Sequence, residues 1–235
     1  MQSIGEAFSI AIALVLSGDS DLLAIVFLSL YVSVTATLIA CLLGFPLGAL
    51  VATRQFRGRG VLLVVMNALM GLPPVVVGLL VYLHLSRAGP LGFLGLLYTP
   101  TAMIIAQTIL IMPIVAALSR QVLEDLHGEY AEQFRSLSLT PIQTIQALVW
   151  DGRFTLLTVA LAGFGRAVAE VGAVMIVGGN IDHLTRVMTT AIALETSKGN
   201  LGLALGLGIV LMVIALGVNA AVHGLRLTAR RHAYV

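Results

Sequence analysis

Arg166 and Glu170 are the only charged residues inside a long apolar run, and they stand four positions apart. That spacing places both on one face of a helix, where they can pair. A charge in hydrocarbon costs about 2.5–3.5 kcal/mol per residue, so both side chains are expected to face a protein interior. Two roles stay open. They form a structural ion pair between helices, or they are an electrostatic element on the path of a charged solute, with Arg166 attracting an anion and Glu170 offsetting the attraction. Other polar groups in apolar surroundings are Ser33, Thr35, Thr37, Asn67, Gln107, Thr108, Thr158 and Asn219. Hydroxyls and amides can donate to a passing solute without trapping it, and they equally serve as bonds to helix backbones.

Catalytic and phosphate-binding signatures are missing. No G-x-x-x-x-G-K-[ST] loop occurs, so a phosphate-cradling loop of that type is not expected on this chain. No H-E-x-x-H occurs, which removes the metalloprotease reading. His84, His127, His183, His223 and His232 are dispersed without metal-ligand spacing, so no metal and no cofactor is expected on this chain. The single cysteine, Cys41, lies in an apolar run and reads as packing.

The elements that carry these residues are membrane helices. Of 235 residues, 59% are hydrophobic and 10% charged, and the mean hydropathy is +1.03. A soluble chain could not wet such an exterior. Alternating strands of a closed barrel are absent, which leaves helices as the way to satisfy the backbone in lipid. Five stretches are long enough to cross: roughly 23–53, 61–85, 100–119, 154–178 and 201–225. Residues 4–17 are short for a span and read as an interfacial helix within an N-terminal segment 1–22, with a sixth short span as the alternative. The expected fold is all-α and integral to the membrane: a transmembrane body 23–225 with a cytoplasmic hairpin 121–153, and a cytoplasmic tail 226–235.

Orientation follows from the basic residues. Arg54, Arg57, Arg59, Arg120, Arg135, Arg153, Arg226, Arg230 and Arg231 fall on one side; Arg87, Arg186 and Lys198 fall on the other. The positive-inside bias puts the N-terminus outside and the C-terminus in the cytoplasm. The net charge of +2 is therefore read as topology, not as nucleic-acid binding. Gly44 and Gly48, and Gly165 with Ala169 and Gly172, are small residues at helix-approach spacing.

A charged island, Arg120–Arg153, interrupts the apolar runs. Within it Thr140-Pro-Ile-Gln143 is a helix start: a threonine cap, proline in the first turn and a glutamine able to close a capping box. Downstream, Ile142, Ile145, Leu148 and Val149 recur at helical spacing and predict one apolar face. Upstream, Glu129–Leu137 reads as a separate short helix with Ala131, Phe134 and Leu137 on one side. Ser138-Leu139-Thr140 is the turn between them.

This island resembles the cytoplasmic motif of permeases of ATP-binding cassette importers, Glu-Ala-Ala, three residues, then Gly. Glu132-Gln133-Phe134 takes the first place and Ser138 the glycine place, followed by Leu139-Thr140-Pro141, with Leu148 at the later apolar place. Only the glutamate matches; Gln133, Phe134, Ser138 and Trp150-Asp151 depart from the alanines, the glycine and the terminal Leu-Pro. Three further stretches carry the likeness: Asn67–Gly78 with Ser86–Gly92; Gly165–Ala173 ending at Gly178-Gly-Asn-Ile181; and Thr185–Gly199. The second is similar to the segment shared by molybdate, sulfate and tungstate permeases, and the third is most like tungstate-type permeases.

The resemblance implies a type I importer membrane domain that moves a tetrahedral oxyanion, tungstate first and molybdate or sulfate as alternatives; a passive anion channel is the remaining reading. It implies a prokaryotic inner-membrane location and a second copy of the chain. It also implies two ATPase subunits that use ATP and Mg, and an extracytoplasmic oxyanion-binding protein. Glu132, Gln133, Phe134, Leu137, Ser138, Leu139, Thr140 and Pro141 become coupling residues that engage the ATPase. Arg166, Glu170, Asn67, Gln107 and Thr108 become candidates for the path or gate. Asp182, Arg186, Glu195 and Lys198 in the outer loop become candidates for docking the binding protein.

Overall fold

The computed structural model describes residues 4–232, with side chains over 5–224. In chain order the helices are α1 Ile4–Ser17, α2 Ser20–Thr53, α3 Arg59–Met70, α4 Pro74–Leu85, α5 Pro100–Ser136, α6 Pro141–Asp151, α7 Arg153–Val168, α8 Gly172–Gly178, α9 Met188–Lys198 and α10 Leu201–His232, with one 3₁₀ turn at Gly92–Leu94. No strand occurs among the described residues. α10 continues through most of the expected tail; the tail's side chains and residues 233–235 lie outside the described residues.

α2, α5 and α10 are each long and apolar enough to cross a membrane. The bent pairs α3–α4 and α6–α7 pass the same test when each is taken together, which brings the total to as many as five. The expected second span, 61–85, is a bent pair that breaks at Gly71-Leu72-Pro73. The cause is local: a residue before proline is driven out of the α region, and Pro73 is extended at φ −64°, ψ 122° ahead of Pro74. Each half is 12 residues, about 18 Å, too short to cross alone. The expected fourth span, 154–178, is likewise interrupted after Val168.

The separate helix expected at Glu129–Leu137 is also corrected. Those residues are the end of α5, which runs unbroken for 37 residues, about 55 Å. Between Ser119 and Ser136 there is no proline, and strong helix formers outweigh the single Gly128. Because hydrocarbon is about 30 Å thick, α5 must extend well past it.

The chain forms two compact units. The first comprises residues 1–36, 73–107 and 165–218. In it α1 is packed rather than free-lying: Ala7 and Ala11 are fully buried, and a Cβ at Gly202 would meet Ile10. α4 and α8 approach through glycine, since a Cβ on Gly78 would lie 2.7 Å from Ala173 Cα.

The second unit comprises residues 37–72, 108–164 and 219–235. Its core joins Ala49 and Ala52 of α2, Leu123 of α5, Leu148 of α6 and Leu156 of α7. Here the Gly44/Gly48 spacing becomes a close approach of α2 to α5. A Cβ on Gly48 would collide with Ser119 Oγ and lie 2.8 Å from the Ala116 carbonyl. Backbone cannot yield as a side chain can, so Gly48→Ala is expected to destabilise the protein by about 1–3 kcal/mol. Thermal unfolding in detergent checks this; Gly165→Ala, where a Cβ meets nothing, is the control.

Candidate functional site

Two places gather the polar residues singled out in the sequence. The first is the break between α7 and α8, in the first unit. Arg166 Nη1 lies 2.6 Å from Glu170 Oε2, so the expected pair forms. It does not share a helix face, however, because α7 ends at Val168 and Glu170 lies in the break. In that position the carboxylate also ties down the start of α8, because Oε1 accepts the Ala173 N–H at 3.1 Å. The freed backbone groups are taken as well. Gln107 Nε2 donates to the Ala167 carbonyl at 3.1 Å, and the Thr189 hydroxyl donates to the Glu170 carbonyl at 2.7 Å. An interrupted helix at membrane depth needs such partners, since no water there can replace them. The Glu170 side chain is 4% exposed and that of Arg166 37%.

A cavity of about 10 Å³, room for about one water, lies beside the break and is lined in part by Ser29, Ser33, Gln107, Glu170 and Thr189. Asn67 lies on α3 in the second unit and is exposed, and Thr108 is half-buried on α5. The first-unit candidates Gln107, Arg166 and Glu170 thus form one cluster. Sequence reading missed three hydroxyls that hold the segment after α8: Ser29, which accepts the Met188 N–H at 2.7 Å, Thr189, and Thr185, whose hydroxyl donates to the Gly178 carbonyl at 2.6 Å. A hydroxyl on an apolar helix carries no sign of which distant backbone group it will meet.

The second place is the hairpin of α5 and α6, in the second unit. α5 ends in a reversal in which Leu139 N–H donates to the Phe134 carbonyl at 3.1 Å and Ser138 N–H to that of Arg135 at 3.0 Å. This double closure uses a left-handed residue, and Ser138 has φ 51°. The glycine place of the motif is thus a left-handed position, which explains why glycine suits it. Ser138→Gly is expected to raise the unfolding temperature by relieving about 1 kcal/mol of strain; Ser138→Val is expected to lower it.

α6 then starts as expected. Thr140 N–H donates to Gln143 Oε1 at 2.8 Å, and Gln143 N–H reaches back to Thr140 Oγ1. Its single expected apolar face is corrected. Leu148 is buried and Ile145 packs beside it, but Ile142 is 70% exposed and Val149, two turns further on, is exposed as well. α6 therefore has an inner apolar face and an outer one. Phe134 belongs inside, packed against Tyr130 with ring centroids 5.8 Å apart. Glu132, Gln133, Leu137, Ser138, Thr140 and Pro141 are exposed, and Leu139 is half-buried. Trp150, another exposed residue, carries the Arg153 guanidinium 4.6 Å from its ring centre. Under the hairpin, Glu124 pairs with both Arg59, at 2.7 Å, and Arg120.

The outer-loop candidates are already engaged with one another. Asp182 pairs with Arg186 at 2.8 Å. Glu195 accepts from Lys198 and Asn200, each at 2.9 Å, and the Lys198 hydrogen bond holds its carboxyl below its ordinary value.

Residues 44–227 match the family described as binding-protein-dependent transport system inner membrane component. The chain belongs to this family. It is 42% identical to the tungstate uptake system permease protein of Peptoclostridium acidaminophilum, over 96% of this chain and 99% of that protein. It is 39% identical to the tungstate uptake system permease protein of Campylobacter jejuni, over 74% of this chain and 73% of that one. The molybdenum transport system permease protein of Azotobacter vinelandii is more distant, at 28% over 72% of this chain and 79% of that protein. As a permease of this family the chain is a multi-pass membrane transport subunit.

Proposed function

We propose that this chain is the permease subunit of an ATP-driven importer that carries tungstate into the cytoplasm of a prokaryotic cell. The observation that carries the substrate is the near full-length similarity to tungstate uptake permeases. The side chains agree with a weakly binding path: the one cation of the apolar runs, Arg166, is offset by Glu170, so no group there would trap a dianion. Selectivity then belongs to an extracytoplasmic oxyanion-binding protein, docked through the outer loop near Asp182, Arg186, Glu195 and Lys198. Two copies of the chain form the path, with the N-terminus outside and the C-terminus in the cytoplasm.

Each copy engages one ATPase subunit through Glu132–Pro141 and the outer face of α6. ATP and Mg bind the ATPases; their closure moves the hairpins and shifts the helices between inward-open and outward-open states. The α7–α8 break, held by Glu170, Gln107 and Thr189, is the element whose partners change in that shift.

The test is uptake by vesicles holding the permease, its ATPase and its binding protein, read by metal mass. Tungstate is expected to accumulate only with ATP, and ahead of molybdate and sulfate. Preferential molybdate or sulfate uptake replaces the substrate. Flux without ATP would make the chain a passive channel.

A further inference from the structure

A cavity of about 290 Å³ opens in the second unit, between the end of α2, the side of α5 and the start of α6. It is lined by Thr53, Arg54, His127, Leu139, Pro141 and Thr144. It has room for a group far larger than one water. No carboxylate lines it. Arg54 makes no ion pair among the described residues, and Glu124, the acid one helical turn before His127, is already taken by Arg59 and Arg120. Thr144, 8% exposed as a residue, closes one side of it. The Thr53 hydroxyl is spent on the Ala49 carbonyl at 2.8 Å.

The pocket thus offers a guanidinium, an imidazole and a threonine hydroxyl beside the apolar Leu139 and Pro141. A guanidinium is always charged and presents paired N–H groups suited to an oxyanion's two oxygens. A threonine hydroxyl on the pocket wall can donate to an oxygen of the same anion. A cationic cavity with no internal counter-charge attracts anions.

We propose that this pocket binds a phosphate-like oxyanion, through Arg54, His127 and Thr144. Both a free tetrahedral oxyanion and the phosphate of an anionic phospholipid headgroup have this chemistry. The pocket joins the end of α2 to the α5–α6 turn, so its occupant restrains the hairpin. That consequence rests on the coupling role proposed above, whereas the binding does not.

The experiment therefore reads binding and not transport. The full chain in nanodiscs of zwitterionic lipid is titrated calorimetrically with sodium tungstate and with inorganic phosphate. In parallel, phosphatidylglycerol retained by the detergent-purified chain is counted by native mass spectrometry. At least one of these ligands is expected to be held. Its affinity or occupancy should fall at least about tenfold in Arg54→Gln, which loses a charge-assisted bond. Thr144→Val, similar in shape, should weaken it too, while Arg57→Gln, outside the pocket, should not. Tungstate or phosphate binding identifies a soluble anion; phosphatidylglycerol retention identifies a headgroup. The proposal is overturned if wild type holds none of the three, or if Arg54→Gln holds them as wild type does. It is equally overturned if Arg57→Gln loses as much, which is surface charge and no pocket. Unchanged thermal unfolding of Arg54→Gln separates lost binding from lost fold.

Discussion

Arg166→Met is expected to destabilise the protein by about 3 kcal/mol, more than Glu170→Gln does, although both break the same ion pair. The asymmetry follows from burial. Glu170 is 4% exposed and Arg166 37%. Removing Arg166 leaves a nearly buried carboxylate without its counter-charge, and breaking a buried pair from one side costs about 3–5 kcal/mol. Removing the charge of Glu170 strands a guanidinium that still reaches polar surroundings, and the glutamine carbonyl can still accept from Ala173 N–H.

The double variant Arg166→Met, Glu170→Gln is expected to recover to within about 1 kcal/mol of wild type, because it leaves no unpaired charge. Unfolding in detergent gives the stabilities, and uptake gives the function. Recovered stability with lost uptake would assign the pair to the path or gate. Recovery of both would make it a structural pair only, and equal costs for the two single variants would refute the burial argument.

The second large effect concerns the hairpin's outer side. Ile142→Asp and Leu137→Asp are each expected to weaken co-purification of the ATPase subunit about thirtyfold, while the chain inserts and unfolds as wild type does. The two residues are 70% and 64% exposed, so a charge there costs the permease little by itself. If they become buried anchors in a partner groove, each carries about 2 kcal/mol. Phe134→Ala should weaken assembly by a different route, lowering the unfolding temperature, because Phe134 packs against the core of the second unit. Glu132→Ala should weaken assembly with no change in unfolding. Wild-type co-purification of both aspartate variants would remove the outer face of α6 from the interface.

Local signals in the chain proved sound where the physics is local. Thr140-Pro-Ile-Gln143 closes as a capping box because every bond lies within four residues. Gly44 and Gly48 permit a close helix approach because the missing Cβ is a property of the residue. Arg166 and Glu170 meet because four residues is a short tether. The same reasoning failed at α6, where Ile142 and Val149 carry the same apolarity as Ile145 and Leu148. Periodicity says which residues share a face; it does not say which of two apolar faces finds the core. It failed again at Glu129–Leu137, where a change from apolar to charged composition marks a change of solvent and not the end of a helix.

Membrane residence, helical class and family were therefore legible in the linear chain, because apolar runs, caps and motif residues are one-dimensional quantities. Two things needed the folded chain. The α7–α8 break is sustained by Gln107 and Thr189, side chains dozens of positions away or across a loop. The pocket at the base of the hairpin is assembled from Arg54, His127 and Thr144, which come from three separate stretches of the chain. Each depends on groups brought together only by packing, and no spacing along the backbone encodes a distance in space.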